Sequence, residues 1–405
     1  MYPESTPPES PMGMEEEEIE IFGYEEDEEE DEDDVGSYGS YLDEEEEDTA
    51  PIRDDAALAF SKHQGSVFCC DLDPRTSLLA VTGGADDTAY VWEVQTGNVV
   101  LECTGHEDSV TFASFNHDGS YVACADMGGL VQVWKLSTKA LAWSTTVEEL
   151  TWMKWHPGSN VLMAAVKAGE VYMWKVPGGE CKVHASHGVE TNAGLFMPDG
   201  RRAAVGYDDG VVRILDLRTM SVVHEVPTGL GGAVRSVSCH DSNSLLAACC
   251  GETLVLINAQ TGQVISSLGP QGAVPGDDVD SEVETSLEAV EFNHDLSLRL
   301  AITADLMGNI VGWDVSKQAS RYRVEQSSGT VKIVCLKNSP IFLTASLQGC
   351  VHMYSTVNGE ALDELMGHRD CILDFVCSAD GRIVVTASDD HTARVFNLNI
   401  AQPEQ

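Results

Sequence analysis

Positive charge is scarce in this 405-residue chain: 23 Lys and Arg stand against 67 Asp and Glu, a formal net charge of -44. A chain so poor in Lys and Arg is not expected to bind nucleic acid directly, because the phosphate backbone calls for a cationic footprint. Long apolar runs are missing too. No stretch of 18 or more apolar residues occurs, so no membrane span is expected. The N-terminus is acidic and lacks the basic and apolar regions of a secretory signal. The twelve cysteines include two adjacent pairs, Cys69-Cys70 and Cys249-Cys250, but no C-x-x-C spacing. Most fall in strand patterns and read as small buried hydrophobes in a reduced compartment, cytosol or nucleus, with no structural zinc. P-loop, dinucleotide, G-x-S-x-G and H-E-x-x-H signatures are absent, and Gly229 to Gly232 lacks the strand and lysine of a phosphate cradle. The expectation is a protein without a cofactor and without enzymatic chemistry.

The acid is unevenly spread. Residues 1–55 hold 25 Asp and Glu against a single Arg53. Runs such as Glu25 to Asp34 and Glu44 to Asp48 bury no apolar surface and repel one another when compact, so 1–55 reads as a disordered acidic tail. Two uses remain open for it: a solubilising bristle, or a lure for basic partners.

What the chain does have is a repeat. Aromatic or bulky residues close an apolar strand at Trp92, Trp134, Trp174, Leu215, Ile257, Trp313, Tyr354 and Phe396, in steps of 42, 40, 41, 42, 56, 41 and 42 residues. The period matches the ~40–45 residues of a four-stranded propeller blade. The long step contains Gly269 to Ser286, a loop rich in Gly, Pro and acid, and removing it restores the period. Alternation with β-branched residues, as in Val131-Gln132-Val133-Trp134, marks the strands, and Asp-Gly pairs such as Asp118-Gly119 and Asp380-Gly381 mark the turns. Helical periodicity does not compete. The fold class expected is an all-β, eight-bladed WD40 propeller over 56–400, with seven blades as the alternative and 401–405 as a short C-terminal tail. The last repeat ends after its third strand, and Ala56 to Phe60 is a spare apolar strand; the inference is that it completes the last blade and closes the ring.

Polar residues recur in step with the repeat. His63, His106, His187 and His368 precede first strands; Asp86, Asp209 and Asp390 stand six residues before the closing position, and Thr82 and Thr386 ten before it. Catalysis needs one such constellation, whereas an architecture needs one in each blade. His63, Thr82, Asp86 and Trp92 therefore read as a complete structural chain of hydrogen bonds. His368, Thr386 and Asp390 form a chain lacking the Trp, and His106, Trp134 and Asp209 are members of partial ones. Blade two has Gly128 at the Asp position with Asp126 two residues earlier, and blade six likewise has Met307 and Asp305.

Several stretches resemble one WD40 family: LAVTGGADDTAYVW (Leu79 to Trp92), GHEDSVTFASFNHDGS (Gly105 to Ser120), LTWMKWHP (Leu150 to Pro157), VYMWKVPGGECK (Val171 to Lys182) and AVGYDDGVVRILDL (Ala204 to Leu217). Together with the acidic tail they are similar to the angio-associated migratory cell protein family. The resemblance implies a non-enzymatic propeller. It also implies either of two roles: chaperone of a basic large-subunit ribosomal protein, as in fungal relatives, or scaffold in cell migration and angiogenesis.

In such a ring, loops joining blades share a face with loops joining second and third strands. That register places Asp108, Glu148, Glu149, Glu190, Asp208, Glu288, Asp370 and Asp389 on one face, with Trp152 as an aromatic anchor and Asp374 at the central opening. Asp277, Asp278, Asp280, Glu282 and Glu284 of the insertion would join them. The partner expected there is a basic protein segment, probed by a monomeric ring.

Overall fold

The computed structural model describes residues 53–269, 286–295, 298–337, 339–398 and 400. The acidic tail before residue 53, the insertion 270–285 with its acids, and residues 401–405 lie outside these. The described residues form eight four-stranded antiparallel sheets, with no helix among them. Eight blades are therefore present, including the fifth (Val234–Cys239, Leu245–Cys250, Thr253–Asn258, Gln263–Leu268) and the seventh (Thr330–Cys335, Ile341–Ser346, Val351–Ser355, Ala361–Leu365). Neither carries the repeat's His and Asp, yet their apolar alternation suffices to build the sheet.

Each closing residue read from the sequence is the penultimate residue of its blade's third strand, as Trp92 is in Ala89–Glu93 and Phe396 in Ala393–Asn397. The second strands are almost wholly buried, as in Leu162 to Val166, because neighbouring blades cover both faces. Asp-Gly turns take the left-handed backbone only Gly adopts freely: Gly119 has φ 69° and Gly381 φ 73°. Seven of the twelve cysteines are buried, and burial raises the thiol of Cys239 to about 12, which keeps it protonated and unreactive.

The strand Leu58–Phe60 adds to the outer side of the eighth sheet, pairing antiparallel with Ala393–Asn397 so that Phe60 faces Ala393. Phe60 stacks on Trp92 of blade one, ring centroids 4.6 Å apart, and both lie in the core between blades eight and one. The first residues of the ring thus cover an edge that the last ones leave open.

Antiparallel order fixes the faces. Loops between blades and between second and third strands lie on one face, called upper below; the other two turns of each blade lie on the lower face. Every first strand lines the central channel and carries a register shift near its upper end, between Val67 and Cys69 in blade one and between Leu150 and Trp152 in blade three. The bulge breaks the alternation on which the sequence reading relied.

Candidate partner-binding face

The recurrent polar residues hold the upper loops to the strands. In blade one, Trp92 Nε1 donates to Thr82 Oγ1 at 3.2 Å, Thr82 lies 2.9 Å from His63 Nε2, and His63 Nδ1 is 2.9 Å from Asp86. Asp86 also accepts the Gln64 N–H. Blade eight repeats this with His368, Thr386 and Asp390 at 2.6 and 2.8 Å, Phe396 standing where the Trp would be. Burial lowers the His368 pKa in spite of Asp390, so the ring is neutral, with its proton on Nδ1 toward the carboxylate. Burial would raise Asp390, but its hydrogen bond from His368 outweighs this and holds it well below the usual carboxylate range.

Other blades reach the same end differently. In blade two Asp126, two residues early, still meets His106 Nδ1 at 2.8 Å, while its other oxygen accepts the Leu130 N–H; His106 Nε2 faces Cys124 Sγ at 3.2 Å. Trp134 donates to Gln132 at 2.8 Å. In blade six Asp305 caps its turn through the Met307 and Asn309 N–H groups, leaving Met307 about half exposed. Gln326 substitutes for His in blade seven, bonding Thr344 and Tyr354. Asp209 departs from expectation. It is exposed and accepts only from the Val211 N–H in its own turn, because His187 stays on the surface and does not reach it.

On the upper face Asp108, Glu148, Glu149, Asp208 and Asp370 are exposed, and Glu190 and Asp389 half-buried. The Asp108 and Asp370 carboxylates accept the N–H of the following residue, and that of Asp208 the Asn192 amide. Glu149 is paired with Lys167 at 3.3 Å, Asp389 takes the Ser66 hydroxyl, and Glu288 takes that of Ser286 at 2.5 Å. Among the described residues, the exposed upper-face acids named here lie on blades eight and one to four. The upper loops 228–233, 326–329 and 347–350, of blades five to seven, carry no charge.

Two expected contacts are corrected by the packing of the blades and by the channel. Trp152 is no surface anchor: only 5% exposed, it packs with Met163, Ala203 and Val205 between blades three and four, and its edge fills the space a Cβ on Gly194 would take. Trp152 and Met153 point to opposite sides, Trp152 toward blade four and Met153 toward blade two, and both are buried because neighbouring blades cover both faces of the sheet. Asp374 does line the channel, but it is not a free carboxylate. Lys332 Nζ lies 2.7 Å away, and Asp374 accepts the Cys70 N–H at 3.0 Å.

Asp374 and Lys332 belong to a charged waist with Asp71, Lys154 and Glu291. Burial pushes Asp71 up to about 6, against hydrogen bonds from the Phe115 and Leu72 N–H groups. Burial also pushes Glu291 up to about 7, with Lys332 opposing. Burial lowers Lys154, helped by the like charge of Lys332. The waist belongs to a channel cavity of about 500 Å³, whose upper wall is formed by Phe68, Thr111, Phe112 and Leu373 and which Asp71, Lys154, Lys332 and Asp374 also line. The sequence reading missed the four residues of the upper wall. Phe68, Thr111 and Leu373 are the extra residues of their bulges, which strict alternation does not foresee.

A WD domain, G-beta repeat model matches residues 57–93, 97–135 and 359–397. Angio-associated migratory cell protein of Canis lupus familiaris is 39% identical over 348 residues, which cover 85% of this chain and 80% of its own. Ribosome assembly protein SQT1 of Saccharomyces cerevisiae is 24% identical over 405 residues, covering 88% of this chain and 90% of its own. The crystal structure of Chaetomium thermophilum Sqt1 bound to the N-terminus of the ribosomal protein L10 matches with a TM-score of 0.75 at 21% identity, covering 85% of this chain and 100% of that one. At that identity the likeness speaks for the fold.

Proposed function

This chain belongs to the angio-associated migratory cell protein family, and from that premise we propose that it is a binding propeller that holds a basic segment of a large-subunit ribosomal protein before subunit assembly. The observation that carries this is the upper face: Asp108, Glu148, Asp208 and Asp370 are exposed, and no ion pair among the described residues engages them. A field of that sign steers a Lys/Arg-rich segment toward the face and suits charge-assisted hydrogen bonds once it docks. The related yeast protein's name and the L10-bound Sqt1 structure support the choice of client. The ring acts as a monomer in this reading, meeting its client in the cytoplasm, with the nucleus as a second compartment.

The family's own name favours a second reading, a scaffold in cell migration and angiogenesis signalling. A pulldown at moderate salt separates the two. Recovery of a large-subunit ribosomal protein, lost when Asp108, Glu148 and Asp370 are changed to Lys, supports the chaperone. Recovery of cytoskeletal or GTPase regulators in its place supports the scaffold.

A further inference from the structure

The upper mouth of the channel differs from the acidic loops around it. Each first strand has its bulge near this end, and the bulge's extra residue has no partner in the second strand. In blades eight, one and two that residue is Leu373, Phe68 and Thr111. All three are half-buried, and with Phe112 they form the upper wall of the channel cavity of about 500 Å³, which the charged waist of Asp71, Lys154, Lys332 and Asp374 lines further down. That volume admits one large side chain, for pockets holding whole ligands begin at roughly 300 Å³. The exposed Asp108 and Asp370 flank it, on the loops that lead into the strands bearing Thr111 and Leu373. A mouth walled by Phe68, Phe112 and Leu373, with charge on the loops around it and the paired Lys332 and Asp374 below, has the layout of an interface whose apolar contact is local and whose rim steers.

Resting on the client reading above, we propose that the upper channel mouth is a socket for one aromatic or aliphatic side chain of the basic segment, with flanking Lys and Arg held by the rim. The rim supplies capture and charge selection. The socket supplies selection among basic segments, because a purely polar Lys/Arg run leaves Phe68 and Leu373 against water. Charge and socket therefore respond differently to salt: screening weakens the rim and leaves apolar burial nearly untouched.

The test uses the full chain and synthetic peptides of Lys, Arg and Ser in which a single Phe is moved one position at a time. Binding is measured by calorimetry across a salt series. At one position or a short cluster of positions, Phe should tighten binding about tenfold over the all-Ser peptide. Phe68→Ser with Leu373→Ser should erase that preference while keeping the salt dependence. Thr111→Trp, which fills the recess from the wall, should erase it as well and guards against a double variant that fails to fold. If no position of Phe improves binding, or if the preference persists in folded Thr111→Trp, the socket is refuted. Failure of wild type to bind any of these peptides would instead overturn the client reading, and this inference with it.

Discussion

Lys332 Nζ lies 2.7 Å from the carboxylate of Asp374 across the seam between blades seven and eight, and that carboxylate also accepts the Cys70 N–H of blade one. One side chain thereby ties three blades where the ring closes. Lys332 donates as well to the Phe375 carbonyl at 2.8 Å. Asp374→Ala should cost about 1–3 kcal/mol in chemical denaturation, since it strands a partly buried ammonium and a backbone N–H. A cost below about 0.5 kcal/mol would mean the contact is a surface ion pair of little weight.

Closure has a second, larger component. A truncation through residue 50 should leave the melting temperature nearly unchanged. One through residue 60 removes Phe60 from its stack on Trp92 and uncovers the strand Ala393–Asn397. Loss of a buried Phe alone is worth roughly 3–5 kcal/mol, so the longer truncation should melt far lower. Equal melting of the two would refute closure by the N-terminal strand.

The channel waist makes stability depend on pH in an unusual direction. Asp71 and Glu291 have folded pKa values of about 6 and about 7, above their ordinary 3.8 and 4.5. Between those limits the folded chain holds more protons than the unfolded one, so their contribution to stability falls as pH rises from about 4 to about 7. Asp71→Asn with Glu291→Gln should therefore gain on wild type between pH 5 and pH 8 in urea melts. A gap that stays constant, or moves the other way, contradicts the assignment. The loop-pinning Asp86 and Asp390 work oppositely: both are lowered, so their stabilisation is present above the ordinary carboxylate pKa and fades in acid below it.

In blade two, Asp126→Ala should cost more than Asp118→Ala. Asp126 is 2% exposed and serves both His106 and the Leu130 N–H, whereas Asp118 serves an accessible turn through Ser120 and Asn116. Denaturation midpoints decide the order, and a reversed order would make Asp126 dispensable.

Much of this was legible in the chain. The spacing of Trp92 through Phe396 carried the blade number, since each closing residue must fill the same gap between sheets. The chains in blades one and eight were legible because His63 and His368, Asp86 and Asp390 keep one spacing. Asp126 was not assignable, because the turn that brings it to His106 is set by backbone geometry rather than residue type. Trp152 was misplaced for a different reason: it lies within a first strand whose two faces are both covered by neighbouring blades, so its ring fills the core instead of the surface. Asp374 was located correctly at the channel, but its engagement with Lys332, 42 residues away in sequence, is a contact no local pattern encodes.

The central claim, that the exposed carboxylates of the upper face hold a basic segment, is tested most directly by calorimetry. The chain carrying Asp108→Lys, Glu148→Lys and Asp370→Lys is titrated with an N-terminal peptide of ribosomal protein L10 at several salt concentrations. Among the described residues no ion pair engages these exposed side chains, so the fold should stand, as a melting curve would verify. The account predicts wild-type binding that weakens steeply with salt and a loss of at least about tenfold in the variant, with a shallower salt slope. Undiminished affinity in the folded variant would contradict it.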